Sequence, residues 1–262
     1  RADIEAAIDS QTFLVVLTHV HYGSAEMFDL AALTARAHAQ GAQVLWDLSH
    51  SVGAVPVELG AARADFAVGC TYKHLNGGPG APAFMYVRHD LQADLAPVLS
   101  GWLGHARPFE FADDYIPAAG MTRHRCGTPP ILSFAALDGA LSVFDGVDMA
   151  DVRRKAQSLI DLFIGLIDDM GMDTGLVLAS PRDAARRGSH VSFAHRDGYA
   201  LIQQLIKRGV IGDFRTPNLM RFGFTPLYLH YVDVWDAAQA LREELEQWRE
   251  HGPPRVTRLA VT

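Results

Sequence analysis

The sequence predicts an α/β protein, a mostly parallel sheet flanked by helices, followed by a smaller C-terminal α+β region. Three observations carry this. The runs Phe13–Leu17, Val44–Trp46 and Phe66–Val68 are continuously apolar and of strand length, the pattern of parallel strands covered on both faces. Between the first two lies a helical pattern, Leu30, Leu33 and Ala37, with Asp29 placed as its N-cap and Gly41 as its stop. Beyond about residue 145 a long amphipathic helix opens a region where short strands and helices alternate.

Taken in order, Ile4–Ile8 reads as the end of a helix already under way. The chain opens on Arg1, in mid-pattern, and is expected to be part of a longer one. Phe13–Leu17 is expected to be a buried parallel strand, followed by the loop His19-Val20-His21-Tyr22-Gly23-Ser24. His19 and His21, two residues apart with no third ligand nearby, do not make a metal site; they read as polar groups facing a cleft. Val44–Trp46, ended by Asp47, and Phe66–Val68 follow as strands, and then the apolar run Ala83–Val87. Residues 90–130 are irregular. There Trp102, between Gly101 and Leu103-Gly104, is either a packed loop residue or a ligand contact. Residues 131–145 return to helical spacing, and Asp151–Met170 is a helix with Gly171 at its stop. Strands are expected at 175–178, 190–193 and 219–223, and helices over Asp197–Lys207 and from Val234 to Trp248. The tail from Gly252 reads as loosely held. Residues 1–145 are taken as part of a large domain and 146–262 as a small one.

Composition bounds the function. Of 262 residues, 49% are apolar and 20% charged, a soluble globular composition, and the formal net charge is −7. Basic residues are scattered, so no nucleic-acid partner is expected. The sequence has no uninterrupted apolar run of membrane-spanning length and no secretory signal. The two cysteines, Cys70 and Cys126, read as buried free thiols in a reducing, cytoplasmic setting.

The chemistry centres on Gly69-Cys70-Thr71-Tyr72-Lys73-His74-Leu75-Asn76-Gly77-Gly78-Pro79-Gly80, which places one lysine in a glycine-rich loop after a buried strand. Lys73 is either a surface charge or an amine kept reactive by partial desolvation to form a Schiff base. Asp47 lies 26 residues earlier, at the carboxyl end of its own strand, where open α/β sheets bind ligands. Alone it would read as a turn or cap residue. Together the two match the needs of pyridoxal phosphate (PLP): an amine for the aldehyde carbon and a carboxylate that keeps the ring nitrogen protonated. Arg221, between Met220 and Phe222 in an apolar strand, is either one half of a structural ion pair or a fork for a substrate carboxylate.

Four tracts together resemble kynureninase: Trp46-Asp47-Leu48-Ser49-His50-Ser51-Val52-Gly53, the loop Thr71–Gly80, Gly127-Thr128-Pro129-Pro130, and Arg221-Phe222-Gly223-Phe224-Thr225-Pro226-Leu227-Tyr228. The resemblance implies the aminotransferase-like, fold-type-I architecture of PLP enzymes and hydrolysis of L-kynurenine, with 3-hydroxykynurenine as a related substrate, to anthranilate and L-alanine in tryptophan degradation. It implies that Lys73 carries PLP and that Asp47 pairs with the ring nitrogen. His50 would lie beside the cofactor, and Tyr72 would contact its phosphate and move a proton. Trp102 and Thr128 would reach the neighbouring subunit's site in a homodimer, and Arg221 would bind the substrate α-carboxylate. The chain lacks the family's N-terminal third, and it carries His21 where relatives often have Asn. Two other readings stand beside this one: another class V-type PLP enzyme, such as an aminotransferase or a cysteine desulfurase, and an inactive chain acting only as an oligomer partner.

Overall fold

The computed structural model describes residues 2–171, 173–253 and 256–257. Of the tail expected to be loose, most lies outside them. The chain packs as two units. One comprises residues 1–19, 29–49 and 58–142; the other comprises 20–28, 50–57 and 143–262.

The first unit is built on a sheet of order β1-β2-β3-β4, with β1 (Leu14–Thr18), β2 (Gln43–Asp47) and β3 (Phe66–Cys70) parallel and β4 (Ala83–Val87) antiparallel to β3. A short helix α1 (Ala2–Ala7) precedes β1. Helix α2 (Leu30–Ala39) makes the crossover from β1 to β2, and the Asp29 carboxylate caps it by accepting the Ala32 N–H at 2.9 Å. The β2–β3 connection contains turns but no helix. Trp46 is fully buried, and its indole N–H donates to Thr34 Oγ1 at 3.0 Å, so this donor is satisfied inside the core. Helix α3 (Ile131–Leu141) follows a stretch of short 3-10 turns.

One expectation is corrected here. Phe13–Leu17 does not form a strand buried on both faces: Val15 is buried, whereas Phe13 and Val16 are 79% and 61% exposed. Apolar runs of this kind do signal two covered faces, but the described residues of the unit cover only one face of β1.

The second unit packs α4 (Met149–Asp168), α5 (Gly198–Lys207) and α6 (Tyr231–His251) with an antiparallel sheet of order β5-β6-β8-β7. Its strands are β5 (Val177–Leu178), β6 (His190–Ala194), β7 (Asp213–Arg215) and β8 (Leu219–Gly223). Phe163 of α4 is the centre of the core: its ring meets those of Phe193, Phe222 and Phe224 at 6.2, 5.0 and 5.6 Å. Burial of one such side chain contributes about 2–3 kcal/mol. No described helix is long and apolar enough to cross a membrane.

Candidate active site

In the first unit, β2 and β3 are neighbouring parallel strands, so their carboxyl ends share one edge of the sheet. Asp47 is the last residue of β2, and Lys73 follows the end of β3 by three residues. Among the described residues, the Asp47 carboxylate is tied at one oxygen, by the Ser49 N–H at 2.8 Å. Its second oxygen remains able to accept.

The Lys73 loop closes on itself. The Gly77 N–H reaches the Thr71 carbonyl at 3.0 Å and the Asn76 N–H reaches the Lys73 carbonyl at 2.9 Å, while Thr71 Oγ1 donates to the Pro82 carbonyl at 2.5 Å. Asn76 takes a positive φ of 61°, which Asn tolerates better than most residues. Gly77 is required for closure: a Cβ there would lie 2.8 Å from Ala81 Cβ and 2.9 Å from the Thr71 carbonyl. The closed loop holds Lys73 partly buried and Tyr72 about half exposed. The ammonium sits over the Tyr72 ring, 5.3 Å from its centroid, a contact that leaves its N–H donors largely available.

Trp102 and Thr128, both exposed, are brought together in the same unit. Gly101 packs so tightly on the Cys126 carbonyl that no side chain fits there, and Gly127 lies against the Trp102 indole. Trp102 also lines an open cavity of about 360 Å³ with His105, Arg107, Phe111 and Tyr115. His19, read from sequence as facing a cleft, is instead buried with its ring edge-on to Trp46 at 6.1 Å.

In the second unit, His50 tilts against the His190 ring with centroids 5.8 Å apart. Arg221 is more tightly held than the sequence suggested. Its Nε donates to Asp213 Oδ1 at 2.8 Å, its Nη2 pairs with Asp213 Oδ2, and its Nη1 donates to the Tyr22 carbonyl at 2.6 Å. The ion pair of the first sequence reading is present; three of five N–H donors are used, which leaves one on each terminal nitrogen. Asp213 also accepts from Arg215 at 3.0 Å, so two guanidiniums share one carboxylate and the cluster keeps a net positive charge.

The contacts of Asp213 and Tyr22 with Arg221, and of His190 and Ser192 with the Tyr22–Gly23 backbone, were not legible in the sequence. The register of β7 and β8 pairs Asp213 with Arg221, but the two lie eight positions apart across the turn at 216–218, a separation that no spacing rule marks. His190 and Ser192 touch residues 168 and 169 positions away.

The chain has recognisable relatives. Residues 152–241 match the kynureninase C-terminal domain family. Over 246 residues, 94% of the chain, it is 53% identical to a kynureninase of Pseudomonas fluorescens, of which it covers 59%. It is 48% identical to a kynureninase of Burkholderia mallei (strain SAVP1) over 263 aligned positions, which is 100% of this chain and 63% of that protein. The apo structure of a cysteine desulfurase from Thermococcus onnurineus NA1 superposes with a TM-score of 0.78 over 94% of this chain and 62% of that one, at 19% identity, which establishes a common fold-type-I architecture. The chain spans about three fifths of the length of the curated relatives it matches.

Proposed function

From the chain's kinship with the kynureninases, we propose that it supplies the cofactor-anchoring and carboxylate-binding residues of a PLP-dependent enzyme that hydrolyses L-kynurenine to anthranilate and L-alanine, with 3-hydroxykynurenine as a second substrate of the same class. The observation that carries this reading is the pairing of Lys73 and Asp47 at the carboxyl edge of adjacent parallel strands, each with its functional atoms left incompletely bonded.

These residues fit PLP by their chemistry. An amine without a tight ion pair suits the aldehyde carbon, and a carboxylate with a free oxygen suits the protonated ring nitrogen. Bound PLP would supply an electron sink for charge developing at the substrate's Cα and Cβ. Lys73 would hold the cofactor and then act as general base toward the α-proton. Asp47 would keep the ring nitrogen charged. Tyr72, whose exposed ring lies beside the Lys73 ammonium, delivers a proton to Cβ as the Cβ–Cγ bond breaks after water has added to the γ-carbonyl. Arg221 engages the α-carboxylate through the one N–H left on each terminal nitrogen, a geometry that fixes rotation about Cα. His50 would lie beside the cofactor, as the resemblance to the kynureninases implies.

Trp102 and Thr128 reach the site of a second copy in a homodimer. The exposed Val98, Leu99, Phe109 and Phe111 in the same stretch support an apolar interface there. Two free cysteines suit a cytoplasmic setting.

The test is an absorbance spectrum of the full-length protein before and after borohydride, alongside Lys73→Ala, followed by addition of L-kynurenine. A visible cofactor band that borohydride abolishes and the variant lacks, with anthranilate fluorescence appearing on substrate addition, is the expected result. A bound cofactor without anthranilate release would exclude the hydrolase and favour another PLP chemistry. No band with PLP in excess would sink the whole reading.

A further inference from the structure

We propose that His190 and Ser192 are positioning residues for Arg221, acting through the Tyr22–Gly23 backbone. The inference rests on the reading of Arg221 as the carboxylate group's partner. All the residues it uses lie in the second unit.

The register between β6 and β8 places Ser192 directly opposite Arg221, and His190 opposite Gly223. Residues two apart on a strand point to the same face, so the side chains of His190, Ser192 and Arg221 emerge from one face of the sheet. His190 and Ser192 are both buried. All three donate to the carbonyls of two consecutive residues. His190 Nε2 reaches the Tyr22 oxygen at 3.2 Å, Arg221 Nη1 reaches the same oxygen at 2.6 Å, and Ser192 Oγ reaches the Gly23 oxygen at 2.5 Å. Because a carbonyl can only accept, His190 carries its proton on Nε2.

This arrangement constrains the guanidinium. A carbonyl oxygen has two lone pairs, and that of Tyr22 spends both on Arg221 and His190. One flank of the Arg221 fork is fixed by Asp213 and the other by the Tyr22 oxygen. The orientation of that oxygen depends in turn on His190 and on Ser192 holding the next peptide. The rest of the turn is secured independently. The His21 N–H meets the Glu26 carbonyl at 2.8 Å, the Ala25 N–H meets the His21 carbonyl at 2.9 Å, and the Gly188 N–H meets the Ala25 carbonyl at 2.8 Å. Removing His190 or Ser192 therefore tilts one peptide and one guanidinium rather than unfolding the segment.

The test compares two ligands of the full-length, PLP-loaded protein by spectral titration: L-alanine, which carries the α-carboxylate, and ethylamine, the same molecule with hydrogen in its place. The variants are Ser192→Ala, His190→Phe, His190→Gln, which retains an N–H donor, and Arg221→Gln as reference. We expect alanine affinity to fall about fivefold in Ser192→Ala and in His190→Phe, the scale of one lost buried hydrogen bond, with ethylamine affinity unchanged and His190→Gln close to the parent. A dissociation constant does not depend on the fraction of protein correctly folded, so partial misfolding leaves the comparison intact. If alanine and ethylamine weaken together, or alanine binding does not move while Arg221→Gln abolishes the preference for alanine, the positioning role is overturned and the carboxylate reading stands. If Arg221→Gln itself leaves that preference intact, the carboxylate reading falls.

Discussion

Two aspartates at opposite ends of one sheet show how differently the same side chain can be treated. Asp65 precedes β3 at its amino end and is buried. Its carboxylate accepts from the Val44 N–H at 2.8 Å, from His38 Nε2 at 2.8 Å and from Arg88 Nη1 at 2.6 Å. It thereby ties β2, α2 and the end of β4 together. Asp47, at the carboxyl end of β2, accepts one backbone N–H and is otherwise open. A carboxylate bonded to donors from three elements is a structural bolt. One left half-bonded at the end of a parallel strand is available to a ligand, and this is where sheets of this kind bind them. The same contrast separates Lys73, which rests over a ring, from Arg88, which is bonded to Asp65 and Asp90.

The comparison breaks if activity and stability follow the same aspartate. The largest expected effect is on chemistry. Asp47→Asn keeps the shape and the acceptor for the Ser49 N–H but removes the charge, and it should lower the rate of anthranilate formation by about 10²–10³-fold, the scale of losing one preorganised electrostatic group. Its thermal midpoint should stay near that of the parent. A midpoint that dropped sharply, with catalysis per folded molecule preserved, would make Asp47 a second bolt.

The converse change is Asp65→Ala. It strands the buried Val44 N–H, while the Arg88 guanidinium loses one partner but keeps Asp90 and the Arg63 carbonyl, and a buried donor left without its partner costs about 1–3 kcal/mol. Denaturant unfolding should show that loss, while the rate per folded molecule changes little. Equal rate losses in Asp65→Ala and Asp47→Asn would erase the distinction between the two ends.

The sequence made one side of this contrast legible and hid the other. Asp47 and Lys73 could be found because each follows a continuous apolar run, and a strand end is a position that one-dimensional patterns mark well. The strands at 43–47, 66–70, 190–194 and 219–223 and the cap at Asp29 follow from the same local rules. Asp65 gave no signal, since its three donors come from positions 21 to 27 residues away that only the fold assembles. Strand β7 escaped notice because Asp213-Phe214-Arg215 is too short and too polar to show periodicity. Phe13–Leu17 misled in the other direction: continuous apolarity reports how a strand is covered, and the described residues around β1 cover half of it.

His195 tests whether incomplete bonding by itself marks a functional group, and it carries the smallest effect. The ring is buried in the second unit, edge-on to Trp248 at 4.9 Å. Its Nδ1 accepts the Asp197 N–H at 3.0 Å, while Nε2 lies toward the Thr174 backbone without reaching hydrogen-bonding geometry. Burial pushes its pKa below the ordinary histidine value of 6.5, with Arg196 acting in the same direction and Asp197 opposing. The folded state thus binds the proton less readily than the unfolded chain. His195 therefore contributes stability in full above pH 6.5, and that contribution is lost as pH falls from there through the depressed folded value. Thermal midpoints measured from pH 8 to pH 5 should decline more steeply in the parent than in His195→Gln, which cannot take up a proton, by a few degrees at the acid end. Parallel curves would show that the ring protonates as easily in the fold as outside it. A flattened curve with an unchanged rate above pH 7 would place His195 with Asp65 among the structural groups, and would show that what singles out Asp47 is its position at the strand's carboxyl end rather than its free lone pair alone.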